Sequence, residues 1–321
     1  ATVRSCLLQA GLCPLQAPYV QCPRRKTKGS GARARLENAR LLGDKPFVTD
    51  RLPIDDALPA LILALRKAGR AVLQAPPGAG KTTRVPLAMH EAGLTEGHII
   101  MLEPRRLAAR AAAERMARTL GERIGETIGY RIRGEAKISR STRIEVVTEG
   151  ILTRMLQSDP ALTGIGAVIF DEFHERSLHA DLALALSWEA RQVLRPDLMI
   201  VVMSATLDAE PVAGMLDAAP VITAQGHPFP VETRWLTRPA DAAMRFEATV
   251  ANLVAQAVEE TEGGVLVFLP GEGEIRRAGA LLQGRLPEGC TIRPLFGAMD
   301  LAAQRAAIAP ARSGRKVVLA T

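Results

Sequence analysis

The chain has 321 residues, 47% of them hydrophobic but only 3% aromatic, which is enough for two domains with cores of Leu, Ala, Val and Ile. No apolar run approaches the ~20 residues that cross a bilayer, and the four cysteines (Cys6, Cys13, Cys22, Cys290) lack the paired spacing of a zinc site or disulfide framework, so a soluble, cytoplasmic protein is expected. The formal charge of +7 is confined to residues 1–48, which hold nine of the 41 basic and two of the 34 acidic residues; the remainder is balanced and gives no bulk electrostatic argument for nucleic acid.

Residues 1–48 mix Cys, Pro and Gly with basic side chains and sustain neither a helical nor a strand period, so a basic, disordered extension is expected there. From Arg51 onward short apolar runs alternate with helical patterns. Strands are predicted at 71–75, 98–103, 143–148, 167–171, 198–204 and 220–224, then at 231–236, 264–270, 291–296 and 316–320. Helices are predicted at 54–68, 105–119, 149–157, 180–194, 244–260, 274–284 and 301–309. Continuous runs such as Ile200-Val201-Val202-Met203 suit strands covered on both faces, and the alternation with helices makes the sheet largely parallel. The expected class is α/β, with functional groups collected at the carboxyl ends of the strands. Gly226-His227-Pro228-Phe229-Pro230 breaks helix and strand alike and reads as a stiff linker between a domain over 51–224 and a second over 231–321.

Three motifs fall at predicted strand ends. Ala75-Pro76-Pro77-Gly78-Ala79-Gly80-Lys81-Thr82 follows the first strand and opens a helix, as a phosphate-binding loop does. Gly78 and Gly80 let the backbone wrap an anion, Lys81 brings charge to the β- and γ-phosphates, and the Thr82 hydroxyl can ligate magnesium. Ala75 stands where the general pattern has glycine, which is compatible with a strand leaving at negative φ. After Ala167-Val168-Ile169-Phe170 comes Asp171-Glu172-Phe173-His174: Asp171 is placed to hold magnesium, and Glu172, pointing the other way along the pleat, to deprotonate a water. Ser204-Ala205-Thr206 ends a further strand, where Ser204 and Thr206 can hydrogen-bond the acidic cluster and report on the γ-phosphate.

Residues 51–321 resemble DEAH-box-type superfamily 2 helicases, with the HrpB branch the nearest pattern. The resemblance is carried by the phosphate loop, Glu103-Pro104-Arg105-Arg106-Leu107-Ala108-Ala109, Gly129-Tyr130-Arg131-Ile132-Arg133, Thr148-Glu149-Gly150-Ile151-Leu152, Asp171-Glu172-Phe173-His174, Ser204-Ala205-Thr206 and Val267-Phe268-Leu269-Pro270-Gly271. Phe173 replaces the alanine of the family's name. The resemblance implies a RecA-like first domain followed by an incomplete second one. It also implies ATP held by Gly78, Ala79, Gly80, Lys81, Thr82, Thr83 and Arg115, with Mg2+ held by Thr82 and Asp171. Lys81, Glu172 and His174 would be the catalytic set, with His174, Ser204 and Thr206 coupling hydrolysis to domain movement. Arg105, Arg106, Arg131, Thr148, Glu149 and Gly150 would grip a single strand of nucleic acid, RNA in preference to DNA, with Arg133 on the same hairpin as Arg131. The chain stops where the family's next motif would begin, so a piece that binds ATP but hydrolyses it slowly alone is expected.

Two other readings compete with an ATP-driven helicase. A different phosphate-loop enzyme, such as a small-molecule kinase, leaves Glu172, Ser204-Ala205-Thr206 and Thr148-Glu149-Gly150 without a role. A non-catalytic nucleotide- or nucleic-acid-binding module predicts that replacing Glu172 changes nothing.

Overall fold

The computed structural model describes residues 5–9, 18–21, 51–205, 209–226, 231–236, 244–311 and 313–321. The elements run β1 (Ser5–Gln9), β2 (Pro18–Gln21), α1 (Leu58–Ala68), β3 (Arg70–Gln74), α2 (Lys81–Glu91), β4 (His98–Leu102), α3 (Arg106–Thr119), β5 (Ile128–Ile132), β6 (Glu135–Lys137) and β7 (Ile144–Val147). They continue with α4 (Glu149–Ser158), β8 (Ile165–Phe170), α5 (Leu178–Val193), β9 (Met199–Ser204), α6 (Ala209–Met215), β10 (Val221–Thr223) and β11 (Glu232–Trp235). The last are α7 (Phe246–Glu260), β12 (Gly264–Phe268), α8 (Glu272–Leu282), β13 (Cys290–Leu295), α9 (Leu301–Ile308) and β14 (Arg315–Ala320). The described residues fall into two compact units: 51–226 form one, and β1 and β2 with the residues from 231 onward form the other.

The first unit is an eight-stranded sheet in the order β10-β3-β9-β8-β4-β7-β5-β6, parallel throughout except for β6, which runs antiparallel to β5. The pleat divides each apolar run between two cores. Ala71, Leu73, Ile99, Met101, Ile169, Val201 and Met203 face α1, α2 and α3, where Leu61, Leu65, Val85, Ala113 and Met116 wait. Val72, Ile100, Leu102, Val168, Phe170, Ile200 and Val202 face the other side with Leu152, Leu156, Ala183 and Leu184 of α4 and α5. Both faces are therefore covered, which is why the strands read as unbroken hydrophobic stretches.

The β5–β6 hairpin lies outside the predicted strand ranges. Gly129 and Arg131 interrupt its apolar run, and Gly129 is needed for packing, since a Cβ there would sit 2.6 Å from the Lys137 carbonyl oxygen. Helix α6 was likewise not expected; its seven residues are too few to show a period.

The second unit has the strand order β11-β2-β1-β12-β14-β13. β1, β12, β14 and β13 run parallel, while β2 is antiparallel to both β1 and β11. Val250, Val254 and Val258 of α7 and Ile275 and Leu282 of α8 pack on Val265, Val267, Val317 and Leu319. Ser5–Gln9 and Pro18–Gln21 fall within the segment expected to lack regular structure; here they pair with each other and lie between β12 and β11, which supplies the hydrogen bonds a short isolated strand lacks. The rest of 1–48 lies outside the described residues.

Candidate nucleotide and nucleic-acid site

Because neighbouring parallel strands end side by side, the order β3-β9-β8-β4-β7-β5 sets the order of groups along the carboxyl edge of the first sheet. The phosphate loop follows β3; Ser204 closes β9, Asp171 follows β8, Glu103 follows β4, Thr148 follows β7, and Arg131 sits at the end of β5. Backbone bonds continue the ladder past the strand ends, with Ala75 N–H donating to Ser204 O (3.0 Å), Asp171 N–H to Leu102 O (2.9 Å) and Glu103 N–H to Val147 O (2.9 Å). Strand spacing of ~4.8 Å makes Asp171 a near neighbour of the loop despite its distance in sequence.

Gly78 and Gly80 take φ values of 78° and 96°, the left-handed conformations the loop sequence calls for, and Ala75 is not among the positive-φ residues. A Cβ at Gly80 would lie 2.5 Å from the tip of the Leu52 side chain, which would have to shift, so glycine is favoured there chiefly for φ. The loop is held from outside by Ile54 N–H donating to Ala79 O at 3.1 Å. Helix α2 begins directly at Lys81 and no side chain caps it, which leaves its first N–H groups for an anion. The Thr83 hydroxyl donates back to Gly80 O at 3.4 Å.

Lys81 is 3% exposed, and its Nζ lies 3.2 Å from Glu172 Oε1. Asp171 is buried beside it; its Oδ1 accepts the Glu172 N–H at 2.8 Å, and the Thr82 hydroxyl beside the carboxyl favours its charged form. The other oxygen, Asp171 Oδ2, is buried without a partner. An unsatisfied buried carboxylate oxygen next to a threonine hydroxyl fits a hard divalent cation that prefers oxygen ligands. Burial pushes the Asp171 carboxyl up from 3.8 to about 6, with the Glu172 charge adding to the rise and Thr82 and Lys81 opposing it.

Glu172 corrects one detail of the sequence reading. It does not continue the pleat: β8 ends at Phe170, and Glu172 turns back in a left-handed conformation (φ 50°, ψ 33°) at the head of a short 3-10 turn, Phe173–Glu175. That reversal aims its carboxylate at Lys81. Its other oxygen is 3.4 Å from His174 Nε2, while His174 Nδ1 accepts the Ala205 N–H at 3.4 Å. The acceptor role of Nδ1 puts the proton of a neutral imidazole on Nε2, facing Glu172. His174 thus bridges Glu172 to the Ser204-Ala205 end of β9; Thr206 lies outside the described residues. Phe173 is 3% exposed and packs edge-on against Phe170, centroids 6.2 Å apart, anchoring the turn in the core beneath.

The residues expected to grip nucleic acid divide into two groups. Arg105 and Arg106 are exposed at the start of α3, with Arg105 Nη2 2.6 Å from Glu175 Oε1 and Arg106 Nη2 reaching Arg133 O only at 3.5 Å. Thr148 precedes α4, and Glu149 accepts the Ser177 hydroxyl, the residue that caps α5. Arg131, by contrast, is paired through Nε with the buried Glu145 at 2.8 Å, so its guanidinium already serves the sheet. Gly150 sits on α4 with open space where a Cβ would be, and Arg115 is exposed on α3.

Three residues were given no role from sequence. Glu103 is buried at the end of β4; its Oε1 accepts the Arg105 N–H at 3.3 Å. Burial, reinforced by Asp171, pushes it up from 4.5 to about 8. An acid directly after a buried apolar run was the available signal, the same one that marks Asp171. Glu175 and Ser177 carry no comparable signal, since their partners lie 70 and 28 residues away. Among the described residues no helix is long and apolar enough to cross a membrane.

Residues 56–213 match the model of the DEAD/DEAH box helicase family. The chain is 51% identical over 271 residues to the ATP-dependent RNA helicase HrpB of Escherichia coli (strain K12), covering 84% of this chain and 33% of that protein. It is 35% identical over 280 residues to the pre-mRNA-splicing factor ATP-dependent RNA helicase prp22 of Schizosaccharomyces pombe, covering 84% of this chain and 24% of the relative. A crystal structure of the Escherichia coli DEAH/RHA helicase HrpB superposes with a TM-score of 0.77 at 48% identity, over 84% of this chain and 34% of that one. The chain thus spans a third or less of the length of the relatives it matches.

Proposed function

Residues 56–213 are a DEAD/DEAH box helicase domain, and from that premise we propose that the chain is the ATP-hydrolysing part of an RNA helicase, binding ATP–Mg2+ at the phosphate loop and single-stranded RNA at the loops after β4 and β7. The observation that carries the reading is the convergence of Lys81, Thr82, Asp171 and Glu172 around one unsatisfied carboxylate oxygen. RNA in preference to DNA is supported by the names of the relatives alone, and the cytoplasm as its location by the unpaired spacing of the cysteines alone.

Thr82 and Asp171 would hold the metal, which would supply positive charge to offset the negative charge that develops in phosphoryl transfer. Lys81, now neutralised by Glu172, turns to the γ-phosphate once that anion enters. Glu172 is released by the same exchange and accepts a proton from the attacking water, while His174 Nε2–H holds its other oxygen. Residues from 231 onward belong to a second RecA-like domain on this reading, supported by the parallel order β1-β12-β14-β13 with helices α7 and α8 packed upon it. A kinase reading offers no role for Glu172 together with His174, and a binding module none for a base at Glu172.

The test is Glu172→Gln, assayed for ATP affinity and for turnover with and without single-stranded oligouridylate. Loss of a general base costs ~10²–10⁴-fold in rate, so turnover should fall by at least ~100-fold while affinity stays within about twofold. Turnover that survives the substitution, or ignores RNA in the unaltered chain, rules the helicase reading out.

A further inference from the structure

The loop from Asp171 to Ser177 is held in an unfavourable shape. Two of its non-glycine residues, Glu172 and Arg176, take left-handed φ values of 50° and 51°, on either side of the Phe173–Glu175 turn. Such conformations persist only where neighbours over-determine them. The neighbours here are the Ala205 N–H on His174, the bidentate Arg176–Asp181 pair (3.1 Å for each bond), the Ser177–Glu149 hydrogen bond and the Arg105–Glu175 pair. The last differs from the others. Its cation comes from the loop after β4, and the Arg105 side chain is 73% exposed, so a polyanion can reach it. A phosphodiester oxygen offers the same charge-assisted acceptor that Glu175 Oε1 supplies at 2.6 Å. In this latched arrangement the carboxylate of Glu172 lies on Lys81, each cancelling the other's charge.

On the reading of Arg105 as an RNA contact given above, we propose that Glu175 is a positioning residue that holds Arg105 in place of an RNA phosphate, and that RNA, by taking Arg105, releases the loop carrying Glu172. Binding of a strand then loosens the turn that carries the base, and entry of the γ-phosphate draws Lys81 away from it. RNA stimulation of ATP turnover follows from exchange of a single ion-pair partner, without any movement of the sheet.

The experiment uses the full chain, with oligouridylate as the probe. RNA affinity is measured by fluorescence anisotropy without nucleotide, and ATP turnover is measured without RNA and at saturating RNA. Glu175→Gln keeps the shape and removes the charge. It should bind oligouridylate at least ~3-fold tighter and raise RNA-free turnover at least ~3-fold, lowering the stimulation ratio accordingly; energetically a threefold change is ~0.65 kcal/mol. In an Arg105→Ala background the same substitution should change neither quantity by more than about twofold, because the partner is gone. An unaltered chain that neither binds oligouridylate nor responds to it overturns the parent reading and this inference together. An unaltered chain that does both, with Glu175→Gln leaving the stimulation ratio within twofold, overturns this inference alone. So does a shift of equal size in the Arg105→Ala background.

Discussion

Replacing Glu103 by Gln should stabilise the chain at neutral and alkaline pH. The carboxyl is 3% exposed at the end of β4, faces the charges of Asp171, Glu172 and Glu175, and is raised from 4.5 to about 8 by burial first of all. A group whose folded value lies above its unfolded one favours folding fully below the unfolded value and loses that contribution as pH rises toward the folded one. The loss therefore runs from pH 4.5 to about 8. At ~1.4 kcal/mol per unit, it amounts to ~3 kcal/mol at pH 7, where the folded chain takes up a proton that the unfolded chain has released. Gln keeps an oxygen for the Arg105 N–H and carries no charge, so it escapes this loss. With ~2–4 °C per kcal/mol for a domain of this size, the melting temperature at pH 7 should rise by roughly 6–12 °C, and by more at pH 8. The assay is thermal unfolding of both chains, free of nucleotide and metal, from pH 4.5 to 8.5. Asp171, raised to about 6, gives both chains a slope below that pH that cancels in the difference between them, which should grow from pH 4.5 to about 8. Parallel curves from pH 6 to 8 would refute the reasoning.

Two further substitutions probe separate parts of the site. Arg106→Ala removes an exposed cation at the start of α3 and should weaken single-stranded RNA binding and lower the slope of log affinity against log salt by ~0.7; an unchanged slope would mean Arg106 meets no phosphate. Phe173→Ala empties a buried site packed edge-on against Phe170 and should cost ~3 kcal/mol, read as a melting temperature lower by roughly 6–12 °C; a drop under about 2 °C would show that the turn closes over the gap.

The parts of this molecule visible in its sequence are those fixed by contiguous residues. Strands β8 and β9 could be read because both faces are covered, so residues 167–170 and 200–203 are apolar without interruption. The phosphate loop could be read because Gly78 and Gly80 must take positive φ within three residues of each other. What could not be read depends on strand order. Arg131 looks like a free cation until β5 is set beside β7 and Glu145 comes within 2.8 Å. The Arg105–Glu175 pair exists only because β4 and β8 end next to each other, 70 residues apart in the chain. The direction of Glu172 was lost for a different reason: a left-handed non-glycine residue leaves no mark in sequence.

Magnesium dependence of nucleotide binding tests the shared site most directly. For the unaltered chain, ATP affinity should fall at least ~10-fold, ~1.4 kcal/mol, when magnesium is withdrawn. Asp171→Asn, which removes the carboxylate beside Thr82, should bind ATP with nearly the same affinity in either condition. If Asp171→Asn keeps the full magnesium dependence, the metal is held elsewhere, and the phosphate loop and the acidic pair do not serve one ligand.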